Sequence, residues 1–428
     1  MRAAWIWIPL LATLGCGERD PVPLSAVEQV STPLGQGAAP MLAIDPSGDR
    51  VLSYVTADGG LAIEVTPTGG EPSRAEVADP LGAVAPHGEA PPQLATAPDG
   101  SLYLLYTVGK EVPGQRFPRS ALRLVRSEDR GQSWSEPISV NEGERFGSHN
   151  FHAVLAGDSG RVYAAWLSST AGRSSVWLRR SDDGGRTWAP ARPIDTGEAC
   201  PCCRTGLALG PDGSLYVSWR KVFENGARDV VVMRSPDGGA TWLDPVRPRA
   251  DDWVISACPH AGPSLMVDRE GVVHLGWWTG KEGSAGVYYG RSEDQGRTFT
   301  VRPVAVAASS APAHVRVQPL GGAVAVAWDD GHGPSPRILL RAATSGAEFG
   351  PTLALSGDGA AEFPVLGRAG DSLVVAWSQQ SEQAHHDAAR ARPDMSQPGA
   401  VMALPKVGEQ VIVSRRVPIQ ALLARSGP

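Results

Sequence analysis

Seven times along the chain a turn is followed by alternating apolar and polar residues and then by an aromatic. The copies run from Pro46-Ser47-Gly48 to Tyr54, Pro98-Asp99-Gly100 to Tyr106, and Asp158-Ser159-Gly160 to Trp166. They continue from Pro211-Asp212-Gly213 to Trp219, Arg269-Glu270-Gly271 to Trp277, Leu320-Gly321-Gly322 to Trp328, and Ala369-Gly370-Asp371 to Trp377. The Gly-containing turns are hairpin chemistry, and alternation with period two marks half-buried strands. Successive aromatics stand 49 to 60 residues apart, the length of one four-stranded antiparallel blade with its loops. The pattern predicts an all-β fold, a β-propeller of seven blades. Six would follow if a terminal copy were only a partial sheet.

A second motif lies between these segments. Ser127-Glu128-Asp129-Arg130-Gly131-Gln132-Ser133-Trp134 recurs at Ser181 to Trp188, Ser235 to Trp242 and Ser292 to Phe299. Its Asp can accept turn amides, its Gly can take a left-handed conformation, and its aromatic can pack between sheets. Asp129, Asp183, Asp237 and Asp294 are therefore read as structural. This Ser-x-Asp-x-Gly-x-x-aromatic pattern resembles the Asp box (BNR repeat) of the sialidase superfamily, over roughly residues 40 to 400. The resemblance implies a sialidase-like propeller and, at its furthest, an exo-acting glycoside hydrolase. That family grips its substrate carboxylate with three arginines, the first in an Arg-Ile-Pro-like motif at the first inner strand. Here that stretch reads Ala38-Ala39-Pro40-Met41-Leu42, so the triad is not recognisable and whether the chain is an enzyme stays open.

Strand alternation puts the Asp boxes and the hairpins between strands 1 and 2 on one face, and the remaining loops on the other. Binding residues are expected on that upper face, since loops on a rigid scaffold carry function. Arg204, Arg220, Asp329, Asp330, His149 and His152 are its ligand-binding candidates. Cysteine spacing is more telling. Cys200 and Cys258 each stand 19 residues before their blade aromatics, Trp219 and Trp277, while Cys202 and His260 each stand 17 before them. His87 and Glu89 hold the same two offsets ahead of Tyr106. Matching offsets on successive blades occupy matching places around the axis. In an extended strand Cys200 and Cys202 would share one face and Cys203 would point away. Two readings stay open. Cysteines of an oxidising compartment pair as disulfides, whereas thiolates with an imidazole suit a soft metal, Cu or Zn.

Composition narrows the partners. A net charge of −6 with both signs scattered and no basic block excludes nucleic acid. Arg2 followed by the apolar stretch 3–14 reads as a signal peptide (residues 1–15), too short to span a bilayer. Leu14-Gly15-Cys16 resembles a bacterial lipoprotein cleavage box, which implies lipid on Cys16 and a membrane anchor. The expected organisation is therefore a signal peptide, an N-terminal linker with a candidate closing strand (16–38), the propeller (39–405), and a C-terminal tail or closing strands (406–428). The expected place is the cell envelope, periplasmic or at the cell surface, and otherwise secretion. The expected function is binding of a glycan, a small molecule or a soft metal at the upper mouth. The alternatives are a divergent sialidase-type glycosidase and a disulfide-stapled scaffold that binds glycans or proteins.

Overall fold

The computed structural model describes residues 22–23, 32–85, 87–143, 145–170, 172–306, 311–390 and 407–424. The signal peptide and Cys16 lie outside the described residues. Strands dominate, and seven sheets follow one another along the chain as the blades of a β-propeller. Blade 1 is Ala38–Ile44, Arg50–Val55, Leu61–Thr66 and Ser73–Val77, each strand antiparallel to the next. Blades 2 and 3 repeat this order over residues 93–139 and 149–193, and blades 5 and 6 over 264–306 and 316–354. Val22–Pro23 adds a fifth, parallel strand to the outer edge of blade 6.

Blade 7 closes the ring. Its strands Ala360–Ala369, Ser372–Gln380 and Val411–Pro418 are completed by Thr32–Gln36 from the other end of the chain, so the outermost strand is supplied by residues that precede blade 1. Among the described residues no helix is long and apolar enough to cross a membrane.

The repeated aromatics explain why the blades stack. Trp166, Trp219, Trp277, Trp328 and Trp377, with Tyr54 and Tyr106, all stand in second strands and are buried to within 2%. Each is a wide apolar plate that fills the wedge between neighbouring sheets. At full burial such a side chain contributes on the order of 2–3 kcal/mol.

The four Asp boxes share one geometry. In the first, Ser127 Oγ donates to Asp129 Oδ1 at 2.7 Å and accepts from Gly131 N at 2.7 Å, while Ser133 N donates to Asp129 Oδ1 at 2.9 Å. The same contacts recur around Asp183, Asp237 and Asp294. The box glycines Gly131, Gly185, Gly239 and Gly296 all have φ between 75° and 93°, where a Cβ would be strained. Asp129, Asp183, Asp237 and Asp294 are thus turn staples, as the sequence indicates.

These carboxyls are held below their ordinary 3.8. At Asp129, Asp183 and Asp237 the following hydroxyl (Ser133, Thr187 or Thr241) is the main cause; at Asp294 partial burial opposes the shift, but the bonds from Thr298 outweigh it. Asp129 and Asp294 each fall to about 2. A depressed folded-state value means stability that is present above the unfolded value and lost as pH falls through the folded one. Thermal midpoints should therefore drop between about pH 4 and pH 2. A variant carrying Asn at all four positions should show a flatter curve across that window; an unchanged slope would remove the boxes from the acid response.

Candidate functional site

The inner strand of blade 4 is split. Glu198–Ala199 pairs with the upper end of Leu215–Val222, and Gly206–Leu209 pairs with its lower end. Between them the chain leaves the ladder in a turn that carries Cys200-Pro201-Cys202-Cys203-Arg204. Pro201 has no amide to donate to a ladder, which suits it to this interruption. All three cysteines of the turn are buried, and Cys200 Sγ lies 3.7 Å from both Cys202 Sγ and Cys203 Sγ. The expectation that Cys203 points away is therefore corrected: the segment is a turn, so two-residue alternation does not apply to it, and the third thiol joins the other two.

Blade 5 supplies the rest from the loop ahead of Ser264–Val267. Cys202, Cys258 and His260 bring their ligand atoms within 4.8 Å of one another, as do Cys200, Cys202 and Cys203. His260 has φ 48°, an uncommon conformation for a residue with a Cβ. All four cysteines here are free thiols, with Cys258 exposed. Hydrogen bonds from Cys202 and Cys203 push the Cys200 thiol well down, and the nearby Arg220 and Arg228 charges add to this. Cys202 is pushed up by its bond to Cys200, and Cys203 by burial. Cys258 is lowered to about 7 by its bond from Cys202. Arg228 Nη1 approaches Cys200 Sγ at 3.7 Å and donates to Ala257 O at 2.8 Å, joining the two loops.

Beside this cluster a finger from blade 2 reaches across the propeller axis. The His87 ring lies 5.6 Å from the rings of both His260 and Phe151. Glu89 is fully buried and accepts from Arg204 Nη1 at 2.6 Å, from Arg204 N at 3.2 Å, and from Gly262 N. Arg204 also donates to Val315 O at 2.8 Å, so one ion pair links blades 2, 4, 5 and 6. Two glycines permit the approach. A Cβ on Gly88 would lie 2.4 Å from the Phe363 ring, and one on Gly262 would lie 2.5 Å from Arg204. Below the finger runs a channel of about 550 Å³ lined by the innermost strands of all seven blades, with Arg204 and Arg316 among its polar residues. Arg316 is pulled down to about 9 by burial and by the charge of Arg204.

The other predicted residues lie elsewhere. Arg220 is buried and donates to Arg228 O, Ala261 O and Trp278 O, with its guanidinium over the Trp253 ring. It holds loops together. His152 is fully buried and bonded to Leu105 O at 2.9 Å, and burial lowers it to about 4, so it stays neutral as an inter-blade contact. His149 sits at the start of blade 3, with its ring 3.5 Å from Ser168 Oγ. Asp329 and Asp330, expected as ligand-binding candidates, are buried. Asp329 binds the His314 ring at 2.6 Å and the amides of His314 and Phe363 at 2.8 Å, and Asp330 caps His332 N at 3.0 Å. His314 is raised, because the Asp329 charge and hydrogen bond outweigh the lowering by burial. The sequence reading missed the Glu89–Arg204 pair as a structural unit; the one available signal was Glu89 at the offset of Cys202 and His260.

Comparison with known proteins agrees with the geometry. Residues 83–257 match the family described as "BNR repeat-like domain". A polysaccharide lyase of family PL25, an ulvan lyase, superposes with a TM-score of 0.57 at 14% identity, covering 91% of this chain and 94% of its own. The microbial sialidase Hz136 (Hadza) gives 0.49 at 17% identity, over 88% of this chain and 74% of its own. A protein of unknown function from Dyadobacter fermentans gives 0.47 at 17% identity, over 90% and 95%. No curated protein matches the sequence. The chain is a seven-bladed β-propeller, and its residues 83–257 are similar to a BNR repeat-like domain. Its mouth is filled by the Glu89–Arg204 pair and flanked by four thiols.

Proposed function

We propose that the chain is a lipid-anchored protein of the cell envelope whose propeller mouth binds a soft metal ion, Cu or Zn, through Cys200, Cys202, Cys203, Cys258 and His260. The observation that carries this reading is the gathering of five soft donors from two blades, two of the sulfur pairs at 3.7 Å. An ion with bonds of about 2.3 Å and a tetrahedral angle spans two sulfurs about 3.8 Å apart. Neighbouring guanidiniums, Arg220 and Arg228, offset the charge of thiolates. Glycosidase chemistry finds less support. Arg204 is committed to Glu89 and Arg220 to three carbonyls, which leaves neither free to grip a substrate carboxylate. Anchoring rests on the box at Cys16, and Cys16→Ala should release the chain from the membrane fraction.

Metal bound only by the folded state raises stability, by about 2.7 kcal/mol at a free ion concentration a hundredfold above Kd. The reduced protein should therefore melt at a higher temperature with Zn(II), or with Cu(I) under anaerobic conditions, and Cys202→Ser should abolish the rise. A wild-type melting curve that neither ion moves would count against the reading.

A further inference from the structure

Five donors are one too many for a single tetrahedral ion, and their arrangement is not that of one site. Cys200, Cys202 and Cys203 form one group of three, and Cys202, Cys258 and His260 form another, with ligand atoms inside each group all within 4.8 Å. Among the described residues no four of these donors gather in that way. A closed structural zinc site needs four ligands around one point. Cu(I), a soft ion that thiolates select, is satisfied by three. Cys202 alone belongs to both groups.

Resting on the metal-binding reading above, we infer that the site is binuclear, holding two Cu(I) ions that share the Cys202 thiolate as a bridge. One ion is held by Cys200, Cys202 and Cys203, the other by Cys202, Cys258 and His260. This uses each of the other four donors once and Cys202 twice, as a thiolate with several lone pairs can. Charge balances as well. Four cysteines release four protons on binding, and the resulting four negative charges meet two Cu(I) ions and two guanidiniums. Those guanidiniums are already placed: Arg228 lies 3.7 Å from Cys200 Sγ, and Arg220 bonds to Ala261 O beside His260. The second ion would span the seam between blades 4 and 5, since Cys202 comes from the split inner strand of one and Cys258 from the entry loop of the other. No Cu(I)–Cu(II) cycling is required; both ions enter as Cu(I) and stay so.

The test uses the full reduced chain, titrated anaerobically with Cu(I) against a chromophoric Cu(I) chelator, followed by copper X-ray absorption. Two ions per chain and a short copper–copper scattering path are expected. His260→Ala should keep one ion and lose the path. Cys202→Ser should lose the path while far-UV circular dichroism stays that of wild type. The wild-type path needs no variant, so a variant that fails to fold does not blunt the test. One ion per chain without a copper–copper path, or a single tetrahedral Zn(II) that copper cannot double, would overturn the binuclear site and leave the metal reading standing. If the reduced chain takes up neither Cu(I) nor Zn(II), both fall.

Discussion

Replacing Glu89 with Ala is expected to lower the free energy of unfolding by about 3–5 kcal/mol, the cost of stranding one member of a buried ion pair. Arg204 would keep its bond to Val315 O but lose its carboxylate partner, and Gly262 N and Arg204 N would lose their acceptor. Both side chains are at most 2% exposed, so solvent does not screen the loss. Denaturant unfolding measures it. The double variant Glu89→Leu with Arg204→Met should recover much of the deficit, because removing both charges leaves none uncompensated. A single-variant loss below about 1 kcal/mol, the range of exposed pairs, would show that the finger across the axis is not fixed by this contact.

The second large effect is expected at Cys202. Its Sγ is common to both donor groups, so Cys202→Ser removes a ligand from each. Metal affinity should fall by more than about 100-fold, beyond the 10–100-fold that follows loss of a mere outer-shell partner. Competition against a chelator of known affinity reads this directly. Cys258→Ser, which removes a ligand from one group only, should cost less. Equal and small effects at the two positions would mean that Cys202 has no special place.

Much of the fold was legible because propeller blades are local repeats. The turn, the alternating strand and the aromatic at Tyr54 or Trp219 recur within a few residues of one another, and the Asp boxes mark the same phase independently. The pairing of cysteine offsets was legible for the same reason: equal distances from Trp219 and Trp277 become neighbouring places on blades 4 and 5. What escaped the sequence depends on contacts between distant residues. Glu89 meets Arg204 across 115 residues and Gly262 across 173, and no local pattern marks such a contact. Cys203 was misdirected because Pro201 sits in a turn where a strand period was assumed. Asp329 and Asp330 look like ligand-binding acids in sequence, yet they follow Trp328 within one continuous buried strand, where Asp329 pairs with His314 and Asp330 caps His332 N.

The most direct measurement is mass spectrometry of the protein isolated from the envelope under anaerobic conditions, read together with its metal-to-protein ratio. Co-purified copper or zinc with Cys200, Cys202, Cys203 and Cys258 all reduced is the predicted result. Two disulfides per chain and no metal would contradict it, and would reduce the cluster to a clamp between two blades.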